Sequence, residues 1–237
     1  MMALTPERLL WAWEHGRRRH PIDRALLLHA LAAPDLPPER LADEPLGNRN
    51  ASLFALRCTA FGDRLEVWLD CPACGERLEF TLDASQLPPT SSAEPTGPLE
   101  VAGQRLTRPT SRHLARLVPL DDERQAAVQL LRDCLASDAP LPEDETALVR
   151  LIEAAEAALE TQDPWAELSL AFRCPACGQG DTASFDIADY LWEELDGRAR
   201  ALLDDIHVLA RAYGWSEPQI LALSDTRRAA YLERLQA

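Results

Sequence analysis

Cys71-Pro-Ala-Cys-Gly75 and Cys174-Pro-Ala-Cys-Gly178 are one pentapeptide written twice, about 100 positions apart. Their surroundings match as well. Arg64-Leu-Glu-Val-Trp-Leu-Asp70 runs into the first copy and Glu76-Arg-Leu-Glu-Phe-Thr-Leu82 leaves it. Glu167-Leu-Ser-Leu-Ala-Phe-Arg173 runs into the second and Thr182-Ala-Ser-Phe185 leaves it. Polar and apolar residues alternate in all four stretches, which is the period of a strand with one face covered. The repeated unit is therefore a hairpin carrying a Cys-x-x-Cys turn at its tip.

A Cys-x-x-Cys turn offers two thiolates from one tight loop. Proline after the first cysteine stiffens the turn, and glycine after the second lets the backbone pass beneath the sulfurs. Each copy supplies half of a tetrahedral site, so the two together predict one structural zinc on Cys71, Cys74, Cys174 and Cys177. The result is a zinc ribbon split by an insertion far longer than the usual spacing of roughly 15–20 residues. Two other readings stand beside it: metal-free turns, and redox-active pairs. A redox pair is expected to open a helix, whose dipole lowers the thiol pKa; here strands follow both pairs. Four thiolates leave no open position for water, so a zinc held this way is structural and not catalytic. Cys58 and Cys134 lack such partners and read as small hydrophobes on helical faces.

Outward from the knuckles the period becomes helical. Thr5 caps a first helix with Pro6 at its first position, Pro21 opens a second, and a third covers Asn48 to Phe61. Residues 84–98, rich in Pro, Ser and Thr, read as a linker. A small hairpin turns at Ala102-Gly103, Thr110 or Ser111 caps a short helix, and helices follow over Asp121–Ala136 and Asp144–Glu160. Asp186 caps a long helix that Gly214 ends; two short helices close the chain. The expected organisation is an N-terminal helical region (1–62), a first knuckle hairpin (63–83), a linker, small hairpin and helical insertion (84–165), a second knuckle hairpin (166–185) and C-terminal helices (186–237). The fold class is α+β, mostly helical, with the split zinc ribbon at its centre.

Composition restricts the function. The chain has 237 residues, 46% of them hydrophobic, and a formal net charge of −15. Its 24 basic residues are all arginine. Between Asp121 and Glu167 stand thirteen carboxylates and three arginines, which read as a solvated helical face or as a surface for a basic partner. Nucleic-acid binding needs the opposite charge, and the hairpins present Glu66, Asp70, Glu76 and Glu79. No apolar run approaches the roughly 18 residues of a membrane span, and the first residues lack a signal peptide's basic start and apolar stretch. The expectation is a cytoplasmic or particle-associated protein with neither nucleic-acid nor membrane partners. His15, His20, His29, His113 and His207 are scattered. Glu193-Glu194 and Asp204-Asp205 splay apart on a helix, where acid–base work needs convergence. The chain does not read as an enzyme. Arg17-Arg18-Arg19 ends the first helix, where it complements the dipole or meets a partner.

The C-terminal stretch Tyr213-Gly-Trp-Ser-Glu-Pro-Gln-Ile-Leu-Ala-Leu-Ser-Asp-Thr-Arg-Arg-Ala-Ala-Tyr-Leu232 is dense in signals. Together with Tyr190-Leu-Trp-Glu-Glu194, Arg108-Pro-Thr-Ser-Arg-His-Leu-Ala115 and both knuckles, it resembles accessory proteins of contractile phage tails and phage-tail-like injection systems, which are similar to baseplate hub assembly chaperones. The resemblance covers most of the chain from Gly47 onward. It implies a baseplate assembly factor or minor component whose partner is a baseplate, hub or spike protein. A zinc-ribbon nucleic-acid-binding or regulatory protein is the alternative. Within the last segment, Trp215 and Tyr231 are large anchors with polar tips, and Arg227 and Arg228 add positive charge, so these four residues are the expected partner surface. The competing expectation is that the two short helices fold back on the long one and close the core.

Overall fold

The structure, a computed structural model, describes residues 4–90, 97–135 and 141–236. Helices α1 (Pro6–Gly16), α2 (Pro21–Ala32) and α3 (Leu46–Phe61) come first. The Thr5 hydroxyl accepts the Arg8 N–H and Pro6 occupies the first turn, as the sequence requires. The first knuckle hairpin follows, β1 (Arg64–Asp70) and β2 (Arg77–Asp83). Next come the small hairpin β3 (Leu99–Val101) and β4 (Gln104–Leu106), then α4 (Ser111–Leu117), α5 (Glu123–Cys134) and α6 (Glu145–Gln162). The second knuckle hairpin is β5 (Leu168–Arg173) and β6 (Gly180–Phe185). Helices α7 (Ile187–Tyr213), α8 (Glu217–Leu221) and α9 (Asp225–Gln236) complete the chain. The three hairpins remain separate two-stranded antiparallel sheets.

Helix α7 is the spine. Asp186 caps it by accepting the Ala188 and Asp189 N–H groups, and Gly214 ends it in the left-handed conformation. Ile187, Leu191, Leu195, Ala199, Leu202, Ile206 and Leu209 recur at helical spacing and are all buried. Helices α1, α2, α3, α8 and α9 pack along this stripe. The regions 1–62 and 186–237 therefore share one core, into which Leu65, Leu168 and Phe185 bring the bases of both knuckle hairpins. The stretch read as a linker starts with a 3-10 turn, Ala84–Gln86, and Leu87 is buried in that same core. The rest of its Pro, Ser and Thr run, residues 91–96, lies outside the described residues.

The insertion has its own small core of Leu99, Val101, Leu106, Leu131, Cys134 and Leu151. A layer of buried polar groups joins it to the main body. Arg49 donates to the Asn50 side-chain amide oxygen and the Ser111 hydroxyl, and the Asn50 side-chain amide donates to the Trp165 backbone carbonyl at 2.8 Å. Arg108 faces Asp163 at 3.4 Å, their side chains 7% and 2% exposed. Burial holds the Asp163 carboxyl above its ordinary range, against the pull of Arg108. Gly47 is required here: a Cβ at that position would lie 1.6 Å from the Asp163 carboxylate.

Candidate metal centre

Burial along each knuckle hairpin falls from base to tip. Leu65 is fully buried at the start of β1, and Leu168 and Phe185 are buried at the base of the second hairpin; the outer halves of the strands are partly or wholly exposed except for Leu78 of β2, which is buried beside the sulfurs. Polar contacts fix the first hairpin to the body. The Arg57 side chain, 2% exposed, donates to the carbonyls of Gly62 and Arg64 and makes a two-pronged ion pair with Glu194 of α7 at 2.7 and 2.8 Å. The Tyr190 hydroxyl donates to the Glu66 carbonyl. The second hairpin is held by the Asn50–Trp165 bond just before β5 and by the helix cap at Asp186 just after β6.

The tips then meet. In each knuckle the first cysteine's N–H reaches across the turn, Cys71 to the Glu76 carbonyl and Cys174 to the Gln179 carbonyl, both at 2.8 Å. Gly75 and Gly178 return their N–H groups to the carbonyls of Cys71 and Cys174 from φ values of 75° and 76°. Only glycine adopts that backbone freely. Cys71 Sγ lies 3.8 Å from Cys177 Sγ, and Cys74 Sγ lies 3.7 Å from Cys174 Sγ. All four sulfurs fall within 4.8 Å of one another. A disulfide would need about 2.05 Å. The observed separations are instead the edges of a tetrahedron around an ion with metal–sulfur bonds of about 2.3 Å. The four cysteines thus form one cluster compatible with a single metal ion, with ligands from two hairpins.

The cluster is lopsided. Cys71 and Cys174 are buried beneath the turns, while Cys74 and Cys177 face outward. Leu69, Leu78 and Phe172 form a small apolar support under the buried pair. The thiols also respond differently to protonation. The Cys177 and Ala176 N–H groups draw the Cys174 thiol down to about 7. Cys74 accepts the Glu76 N–H, yet burial and the three neighbouring sulfurs outweigh that bond and push it up to about 12. Four thiolates this close repel one another, and a divalent cation bound among them would offset that charge.

The other sequence-predicted residues fare differently. Arg228 is not available to a partner. It is 3% exposed, held by Asp205 at 3.1 Å and Asp225 at 2.6 Å, so it fastens α9 to α7. Trp215 and Tyr231 are half-buried against the main core and stack with Tyr213 in one aromatic cluster. Arg227 alone of the four is exposed. Cys134 is buried, with its thiol pushed up to about 12, whereas Cys58 is only half-buried. The buried arginines Arg49, Arg57 and Arg108 escape a reading by hydrophobic period, because each looks like an ordinary polar position. Compared with protein-family models, curated proteins and solved structures, the chain matches none. Among the described residues, no helix is long and apolar enough to cross a membrane.

Proposed function

We propose that this chain is a structural or assembly factor of a contractile phage-tail-like particle, acting by protein–protein binding, with its fold clamped by one structural zinc ion on Cys71, Cys74, Cys174 and Cys177. The observation that carries the proposal is the convergence of four sulfurs from two identical knuckles about 100 residues apart. Zinc suits a tetrahedral set of four thiolates and has no redox chemistry of its own. Four protein ligands exclude water from the ion, so its role is to hold the hairpins and not to activate a substrate.

The particle context rests on the sequence resemblance. Several of its marker residues hold the fold together. Arg108 pairs with Asp163, Ser111 accepts from Arg49, Arg112 pairs with Asp43, and Tyr190 ties α7 to β1. The test is co-expression of the tagged chain with the hub and spike proteins of its own gene cluster, together with deletion of the chain's gene. A stable complex with one of them, and loss of complete baseplates on deletion, is the expected result. Normal baseplates without the chain, and no complex with hub or spike, would remove the proposal.

A further inference from the structure

Beside the metal cluster, β1, β6 and the first turns of α7 enclose a groove of about 500 Å³, a size suited to a short peptide or small ligand. Its strand walls are two runs of consecutive residues, Glu66 to Leu69 and Ala183 to Phe185, together with Leu170 of β5. A wall made of consecutive residues is a strand edge, since the two faces of a strand alternate.

The hydrogen-bond phase shows which backbone groups that edge offers. Cys71 donates its N–H to the Glu76 carbonyl across the first turn, a pair that continues the β1–β2 register. The odd-numbered residues of β1 therefore bond to β2, and the even-numbered ones turn their N–H and C=O groups outward. Two outward carbonyls are already used from that side, Arg64 by Arg57 and Glu66 by Tyr190. By the same alternation, the bond from Cys174 to Gln179 turns the backbone of Thr182 and Ser184 outward on β6. Both free edges border one groove.

Its chemistry is two-sided. Val67, Leu69, Leu170 and Phe185 give apolar surface, and Trp68 stands 61% exposed at the rim. Five carboxylates line it, Glu66, Asp186, Asp189, Glu193 and Glu194, with no arginine among the lining residues. Of these five, only Glu194 has a salt-bridge partner among the described residues. Burial and the adjacent Asp186 hold the Asp189 carboxyl above its ordinary range, so the groove is crowded with like charge.

We propose that this groove binds an extended segment of a partner protein in which arginine or lysine alternates with apolar residues, added as a strand along the free edge of β1. Backbone bonds to the Glu66 N–H and to the N–H and C=O of Trp68 set the register, the apolar side chains cover Val67, Leu170 and Phe185, and the cations meet Asp189 and Glu193. The inference rests on the reading of the chain as a protein–protein binding factor and deepens it by giving the partner's chemistry. The probes are labelled octapeptides alternating Arg with Val or Phe, and matched peptides with Glu in place of Arg. These are titrated against the full zinc-loaded chain, with amide exchange followed residue by residue.

The expected result is saturable binding of the basic peptides only, slowed exchange at the Glu66 and Trp68 amides, and at least tenfold weaker binding by Glu193→Arg. Glu217→Arg, on distant α8, should bind like wild type. Affinity unchanged in Glu193→Arg, protection confined to the acidic 121–167 stretch, or absence of binding to every basic peptide would overturn the proposal. The two readings separate in the co-expression assay. A hub complex that survives Glu193→Arg undamaged removes the groove and keeps the assembly role, whereas peptide binding without any baseplate partner keeps the groove and removes the assembly role.

Discussion

His29 shows at the scale of one side chain how the fold sets chemistry. It is 2% exposed on α2, and burial, aided by the Arg49 charge, draws its pKa from 6.5 down to about 4. The folded protein therefore holds the neutral ring. A group whose folded pKa lies below its unfolded value contributes stability that is intact above the unfolded value and is lost as pH falls. For His29 that window runs from about 6.5 to about 4. Between pH 7 and pH 5 the loss is on the order of 2 kcal/mol, or roughly 4–8 °C in melting temperature for a chain of this size. His29→Gln should melt with that much less pH dependence, and an identical pH profile would show that the ring does not titrate with unfolding. The cysteines make the second test at this scale. Cys71 and Cys174 sit in equivalent buried positions on different hairpins. Cys71→Ser and Cys174→Ser should melt within a few degrees of each other, both roughly 10 °C or more below wild type. A Cys174→Ser variant that melts like wild type would mean that the hairpins do not share an ion.

The helices and hairpins were legible where one local rule dominates. The strands around both knuckles follow from strict alternation, α7 from its buried stripe and its caps at Asp186 and Gly214, and the small hairpin from Ala102-Gly103, both at positive φ. The four-cysteine cluster was legible because paired Cys-x-x-Cys spacing has few other uses. The polar joint was not, since nothing local distinguishes Arg49 or Arg108 from a solvated arginine; their burial arises from α3, α4 and the end of α6 meeting in space. The C-terminal segment shows the same limit. Arg228 has the composition of a partner contact and the position of a fastener. Helix α8 also buries Ile220 and Leu221 in the main core, and Tyr231 and Leu232 of α9 pack against it. Deleting residues 214–237 should therefore cost at least about 3 kcal/mol, a drop of roughly 6–12 °C, or leave the chain insoluble. A truncation that melts like the full chain would show that these helices are a detachable module.

In the whole molecule, two hairpins distant in sequence rise from one helical body and bring four cysteines together at their tips. Their bases are fixed by core packing and by the Arg57 and Asn50 bonds. At the tips, among the described residues, only Leu78, which is buried, and the partly buried Leu69 and Phe172 pack against the sulfurs. Apolar burial there is small, and on the proposed reading the metal supplies the clamp. Closing a loop of about 100 residues carries an entropic cost that grows slowly with length, and thiolate–zinc binding, about 10–16 kcal/mol in small peptides, exceeds it. The most direct measurement is the metal-to-chain ratio of the full protein purified without chelator, by elemental analysis. The account predicts one equivalent of zinc, and close to none in the Cys174→Ser variant. Two equivalents, no metal, or iron in place of zinc in the wild-type chain would contradict it.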